Sequence, residues 1–347
     1  MSIKLAINGF GRIGRLALRR AYQMNEEEGK KVFDVVAIND LVDAKTLAYL
    51  LKYDTTHGRW TGHEVSSDEA NDIIIDGVKI PVLGKKDPHD LKWGEYGVDI
   101  VLECTGRLKS HEDGDVHMQN GAKGVIISAP SSSKDIPTYV YGVNTDKLTK
   151  DQTIISGASC TTNCLSPMMK VLNDTFGVIG GTMTTVHAYT NDQRILDLAG
   201  SNIRRSRAGA ANIVPTTTGA AKAVGKVIPE LNGRLNGNAI RVPVTDGSIC
   251  DCTLLLKKEA TVEEINDAMK KASEGELKGV LGYSTDEIVS SDILGRTEGS
   301  IFDSTLTMLI PAGDVTFVKV ASWYDNEYSF TCQMMRLAKL YGEILTK

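Results

Sequence analysis

The stretch SGASCTTNC, residues 156–164, puts one thiol, Cys160, between hydroxyl residues just where an apolar run ends. Thr153, Ile154 and Ile155 before it predict a short buried strand. Leu165, Met168, Met169, Leu172 and Phe176 after it recur at helical spacing, which predicts a helix over residues 163–176. Cys160 is therefore expected at a strand-to-helix junction, near a helix N-terminus whose N–H groups and dipole favour an anion. A thiol there is expected to have a lowered pKa and a larger thiolate fraction, and position alone leaves open whether it attacks a substrate or only fills space. Five of the six histidines lie at or before His117, and His187 stands alone in the β-like run GTMTTVHAYT. An imidazole beside Cys160 would stabilise a thiolate and could take the proton of a hemithioacetal hydroxyl. The other reading of a single strand histidine is a packed core residue, and spacing alone leaves both open.

Further anion-binding groups follow. Arg204, Arg205 and Arg207 bunch together, and Thr216, Thr217, Thr218 and Gly219 precede an Ala-rich helical stretch. Arginine forks and such donors suit phosphate, although the RRSR run also fits a solvated loop or a subunit contact. Arg241, among the strand residues NAIRVPV, needs a partner or an anionic ligand. Cys160 and Cys164 are spaced CxxxC, unlike a zinc pair, and no second ligand pair follows, so no metal is expected. Cys164, Cys250 and Cys252 read as small packing residues.

These groups need a scaffold. Ile3, Leu5 and Ile7 alternate, and then Gly9, Gly11 and Gly14 form G-x-G-x-x-G ahead of a helical face of Ile13, Leu16, Ala17, Ala21 and Met24. A charged loop leads to FDVVAIND, ending on Asn39 and Asp40. The first glycine permits a tight turn, the second a close approach to pyrophosphate, and the third close helix–sheet packing. Asp40 can accept from ribose hydroxyls and would repel a 2′-phosphate, which favours NAD over NADP. The runs 98–106 and 124–130 continue the sheet and place Thr105, Gly106 and Ser128 at strand ends, where ligands of such sheets bind.

With 347 residues, 41% hydrophobic and 24% charged, the chain can build two domains. No apolar run is long enough to span a bilayer, and the start lacks the pattern of a secretory signal. A formal net charge of −5 provides no general attraction to nucleic acid or anionic lipid. Six dispersed cysteines fit a reducing, cytoplasmic setting.

INGFGRIGR, SGASCTTNCLSP, TTVHAYTNDQ, PTTTGAAKAVGKVIPELNG and SWYDNE together resemble phosphorylating glyceraldehyde-3-phosphate dehydrogenases, from residue 3 to about residue 340. The resemblance implies a homotetrameric glycolytic oxidoreductase. It would convert D-glyceraldehyde 3-phosphate and inorganic phosphate to 1,3-bisphosphoglycerate with NAD, through a cysteine thioester. It also implies site residues. Cys160 would be nucleophile and His187 base. Gly9, Phe10, Gly11, Arg12, Ile13 and Gly14 would form the pyrophosphate loop, with Asp40 on the adenosine ribose. Lys86 would lie near the adenine, where the family usually has an arginine whose planar fork lysine lacks. Thr105, Ser128 and Asn326 would complete the cofactor site, the latter two beside the nicotinamide. Ser159, Thr161, Arg205, Thr218 and Gly219 would hold inorganic phosphate, Thr190 with Arg241 the substrate's C3 phosphate, and Arg204 is a further candidate for substrate or phosphate.

The expected fold is α/β. A doubly wound Rossmann-type nucleotide domain, residues 1–159 and 326–347, accompanies an α+β catalytic domain with a mostly antiparallel sheet, residues 160–325. The helical tail is expected to pack on the first domain. Alternative functions are erythrose-4-phosphate dehydrogenase, a cysteine hydrolase without a nucleotide, and a non-catalytic binding role added to the enzyme.

Overall fold

The computed structural model describes residues 2–200 and 202–346. The chain divides into two compact units: residues 1–139, 147–158 and 334–347, and residues 140–146 with 159–333.

In the first unit the strands β1 (Ile3–Asn8), β2 (Phe33–Asn39), β6 (Ile100–Glu103), β7 (Gly124–Ile127) and β8 (Ile154–Ser156) form a parallel sheet. Its order is β2-β1-β6-β7-β8. Such a sheet is covered on both faces, which is why its strands read as near-continuous apolar runs. Leu5, Ile7, Ile100, Leu102, Ile126 and Ile155 belong to one core cluster, and Ala6, Val101, Val125, Ile127 and Ile154 to another. The helices are α1 (Arg12–Glu27), α2 (Ala44–Lys52) and α3 (His111–Gln119). A small antiparallel sheet joins β3 (Val65–Ser67), β4 (Asp72–Ile75) and β5 (Val78–Pro81).

The three loop glycines have three different reasons. Gly9 has φ 91°, and a Cβ there would lie 2.6 Å from the Thr105 nitrogen. A Cβ on Gly14 would lie 2.2 Å from the Gly9 carbonyl oxygen, so the helix could not approach the strand. At Gly11 a Cβ would meet no protein atom within 4 Å.

The second unit holds the other strands: β9 (Val178–Ala188), β10 (Val214–Thr217), β11 (Leu235–Val242), β12 (Ser248–Leu256), β13 (Leu281–Ser284), β14 (Ser300–Asp303), β15 (Met308–Ala312) and β16 (Val315–Tyr324). Their order is β10-β11-β9-β12-β16-β14-β13, with β15 paired to β16. The pairing is antiparallel except at β11–β9 and β13–β14. Period-2 alternation sends Met183, Thr185 and His187 of β9, and Cys250 and Cys252 of β12, into the buried side. Helix α4 (Cys160–Phe176) buries Cys164, Leu165, Met168, Met169 and Leu172, and α5 (Ala220–Val227) and α6 (Val262–Glu274) complete the unit. The last helix, α7 (Tyr328–Leu345), begins in the second unit, while its Met334, Met335, Leu337, Ala338 and Tyr341 lie in the core of the first.

We predict that Gly14→Ala lowers unfolding stability by about 1–3 kcal/mol, the usual cost of overpacking. Gly11→Ala should cost less than about 1 kcal/mol, because only a weaker N-cap preference opposes it. Denaturant unfolding of both variants checks the contrast; equal stabilities would contradict it.

Candidate active site

Helix α4 starts three residues earlier than its apolar spacing predicts, at Cys160 itself. Ser159 caps it: the Ser159 hydroxyl accepts from the Thr162 N–H at 3.1 Å. Just before the cap, Ala158 has φ 62°, a left-handed conformation that a residue with a Cβ adopts at a cost of roughly 1–3 kcal/mol. This turn swings the chain from β8 into the helix and leaves the sulfur at the first position of α4.

His187, 3% exposed near the end of β9, brings Nε2 to 3.5 Å from the Cys160 sulfur. Its Nδ1 lies 2.7 Å from the Ala188 carbonyl oxygen. That oxygen can only accept, so a proton on Nδ1 leaves the Nε2 lone pair aimed at the sulfur. The Arg241 guanidinium competes for this arrangement: its Nη1 touches Nδ1 and donates to the Ala188 oxygen at 2.8 Å. Behind the pair, the buried Tyr324 hydroxyl bonds Thr161 Oγ1 at 2.9 Å and Thr185 Oγ1 at 2.7 Å, and its ring meets the imidazole edge-on.

One expectation is corrected here. The net effect on the thiol is a raised pKa, not a lowered one. Packing around the sulfur pushes Cys160 up to about 11, outweighing Arg241 and the Thr161 N–H and hydroxyl, which favour the thiolate. Burial, aided by Arg241, pushes His187 down to about 3. Each ion alone is penalised by desolvation, whereas moving the proton from sulfur to Nε2 leaves the net charge of the pair unchanged. The geometry is that of a neutral thiol with a base in place.

Around this pair the anticipated anion groups are already engaged. Thr190 donates to Asp192, and Asp192 pairs with Arg205. Arg205 also donates to Thr216 Oγ1 at 3.0 Å and to the Thr217 carbonyl oxygen at 3.2 Å. Burial works to raise the Asp192 pKa, but the Thr190 hydroxyl and the two arginines hold it below its ordinary value. Asp192 went unnoticed in the sequence, although it stands in the quoted TNDQ run. Arg204 is exposed and reaches the Pro215 carbonyl oxygen at 3.3 Å. Thr218 Oγ1 accepts from the Ala220 N–H at 3.2 Å, and Gly219 is the N-cap of α5.

Asn326 is buried. Its N–H donates to Asp246 at 3.1 Å, and its side-chain oxygen accepts from Ser248 at 2.7 Å. Asp246 and Asp325 bond each other, and burial together with that second carboxyl pushes Asp246 well up.

The first unit carries a groove of about 440 Å³ beyond the carboxyl ends of β1, β2 and β6. Gly9, Gly11, Asp40, Lys86 and Thr105 line it, as the sequence suggested, together with Asn8, Asn39, Leu41, Lys85 and Arg107, which it did not. Asp40 also accepts from the Phe10 N–H at 2.7 Å, so it fixes the glycine loop as well as the rim. Phe10, Arg12, Ile13, Gly14 and Ser128 do not line the groove. Phe10 is fully buried, and Ile13 packs on the core. The fork of Arg12 is bonded to Asp54 at 2.9 and 3.1 Å. Burial tends to raise Asp54, yet Arg12 and two backbone N–H groups bring it down to about 2. Ser128 sits half-buried beyond β7, its N–H on the Glu103 carbonyl oxygen at 3.0 Å. The open space at Gly11, the strand-end position and the acid at the rim fit a dinucleotide.

Comparison with known proteins gives one answer along the chain. Residues 3–111 match the family described as glyceraldehyde 3-phosphate dehydrogenase, NAD binding domain, and residues 159–326 match its C-terminal domain. The glyceraldehyde-3-phosphate dehydrogenase of Clostridium pasteurianum is 51% identical over 343 residues, covering 98% of this chain and 99% of the relative. Those of Geobacillus stearothermophilus and Thermotoga maritima are each 53% identical, covering 97% of this chain and 98% of theirs. The chain belongs to the glyceraldehyde-3-phosphate dehydrogenase family.

Proposed function

We propose that the Cys160–His187 pair carries an NAD-dependent, phosphorylating oxidation of D-glyceraldehyde 3-phosphate. The observation that supports this most is the 3.5 Å contact between the sulfur and Nε2 at the start of α4. The sulfur adds to the aldehyde carbon as its proton passes to His187. The backbone N–H of Cys160, at the first position of α4, would hold the developing oxyanion. Bound NAD would supply the hydride acceptor for oxidation of the hemithioacetal to a thioester. His187 first returns its proton to the alkoxide, forming the hemithioacetal hydroxyl, and Nε2 takes that proton back as the oxidation proceeds. Inorganic phosphate, drawn by Ser159, Thr161, Thr218 and Gly219, then attacks the thioester carbonyl. The carbon–sulfur bond breaks, acyl phosphate leaves, and the proton held on His187 returns to the sulfur, restoring the neutral Cys160–His187 pair. Thr190, Arg205 and Arg241 serve anionic groups of substrate and phosphate. An anion that draws Arg241 away from His187 would leave Nδ1 to bond Ala188 alone, which readies Nε2 as base.

The groove lined by Gly9, Gly11, Asp40, Lys86 and Thr105 is read as the adenosine and pyrophosphate end of the NAD site, and Ser128 and Asn326 as its nicotinamide side. The homotetramer is supported by the exposure of Ile195, Leu196, Ile203 and Ile213 at 89%, 76%, 88% and 70%. A second copy of the chain would cover such a surface. Among the described residues no helix is long and apolar enough to cross a membrane. The six free cysteines suit the cytoplasm, where thiols stay reduced.

Cys160→Ser should lower NAD reduction by roughly 10⁴-fold or more and abolish the acyl-enzyme seen by intact mass, with NAD affinity retained. NAD reduction at the parent rate would remove Cys160 from its role. Gly11→Ala should fold as the parent does but bind NAD at least about tenfold more weakly, since its methyl group takes the pyrophosphate's place; calorimetric titration reads this directly. NAD reduction by the parent should depend on added phosphate, and reduction at the same rate without it would contradict the phosphorylating reading, while a failure to bind NAD would favour the hydrolase.

A further inference from the structure

Glu103 is 2% exposed, at the end of the β6 strand, and nothing in the mechanism uses it. Its carboxylate receives four hydrogen bonds. Asn8 Nδ2 donates to Oε2 at 2.5 Å, and the Thr105 N–H to Oε1 at 2.8 Å. The Thr105 hydroxyl also donates to Oε1. His117 Nε2 lies 3.1 Å from Oε2. Trp93 Nε1, which can only donate, reaches His117 Nδ1 at 3.0 Å. Nδ1 is therefore the acceptor, and the His117 proton sits on Nε2, pointing at Glu103. Both Trp93 and His117 are fully buried.

The network then runs into the wall of the groove. Asn8 Oδ1 accepts from Asn39 Nδ2 at 2.8 Å. Asn39 in turn holds Lys85 from both sides, accepting from its N–H at 2.8 Å and donating to its carbonyl oxygen at 3.0 Å. Asn8, Asn39, Lys85 and Thr105 all line the groove, and all are tied to this one carboxylate. A buried charge is tolerated when its acceptor sites are filled, and such a network fixes its members in one arrangement.

We propose that Glu103, held by His117 and Trp93, is the positioning residue that sets the shape of the nucleotide groove. It acts through Asn8, Asn39 and Thr105, without touching the nucleotide. This rests on reading that groove as the NAD site.

The test is NAD titration of full-length variants, with steady-state kinetics. In Glu103→Gln the amide NH2 faces two donors whichever way it turns: Asn8 and His117, or the two donors of Thr105. NAD should bind roughly tenfold or more weakly, the size that a mis-paired buried polar group carries. KM for NAD should rise in step, while kcat at saturating NAD and the alkylation rate of Cys160 stay within about twofold of the parent. If Glu103→Gln fails to fold, His117→Leu and His117→Gln decide. The leucine removes one donor from the carboxylate and should weaken NAD binding severalfold. The glutamine can still donate to Glu103 and should restore it. Parent-like NAD affinity in the folded Glu103→Gln variant, or equal affinities for the two His117 variants, would overturn the proposal. If instead Gly11→Ala binds NAD as the parent does, the groove reading itself fails, and this inference with it.

Discussion

A partly buried sulfur and a buried imidazole nitrogen 3.5 Å apart constrain the chemistry of the second unit. The packing that raises Cys160 and lowers His187 makes either ion costly by itself. Internal proton transfer escapes most of that cost only while the two atoms stay in reach of one another. The left-handed Ala158, the Ser159 cap and the alternation of β9 all bear on that distance. So does the Arg241 guanidinium, which opposes a proton on the same imidazole. The site is a positioned base beside a protonated thiol, and an anionic substrate bound by Arg241 would relieve its contact with His187 Nδ1.

The nucleotide unit uses polar groups differently. Its glycine loop offers backbone, and two of its three glycines are required by neighbouring protein atoms rather than by a ligand. Only Gly11 leaves room for something the protein itself does not supply. Around that gap the wall is side-chain amide, hydroxyl and lysine, organised from beneath by a saturated carboxylate. Preorganisation of this kind lowers the ordering that a bound dinucleotide would otherwise require.

Much of this was legible in the sequence, for physical reasons. Period-2 and 3.6-residue patterns found β1, α1, β2 and α4, because burial of one face is what makes those elements form. The glycine spacing found the turn, since Gly9 at φ 91° admits little else. Other features were hidden because they are tertiary. The start of α4 at Cys160 depends on a serine cap and a strained alanine, and no apolar period marks them. The lowered thiol pKa was the wrong expectation, since the helix start was weighed and the packing around the sulfur could not be. Asp192, Glu103 and His117 looked like ordinary polar residues. Their distant partners lie 13 to 95 positions away along the chain and meet only in the fold.

The account's central claim is that His187 takes the Cys160 proton. The most direct measurement is the pH profile of Cys160 alkylation, in the parent and in His187→Asn, with the site free of substrate. Native His187 stays unprotonated until about pH 3, so its lone pair is available at higher pH. The parent rate should therefore change little from about pH 5 to about pH 9. Without the imidazole, the sulfur must ionise unaided. The variant should then react far more slowly near neutrality and gain about tenfold per pH unit as it approaches the raised thiol value of about 11. Superimposable profiles for the two proteins would contradict the claim.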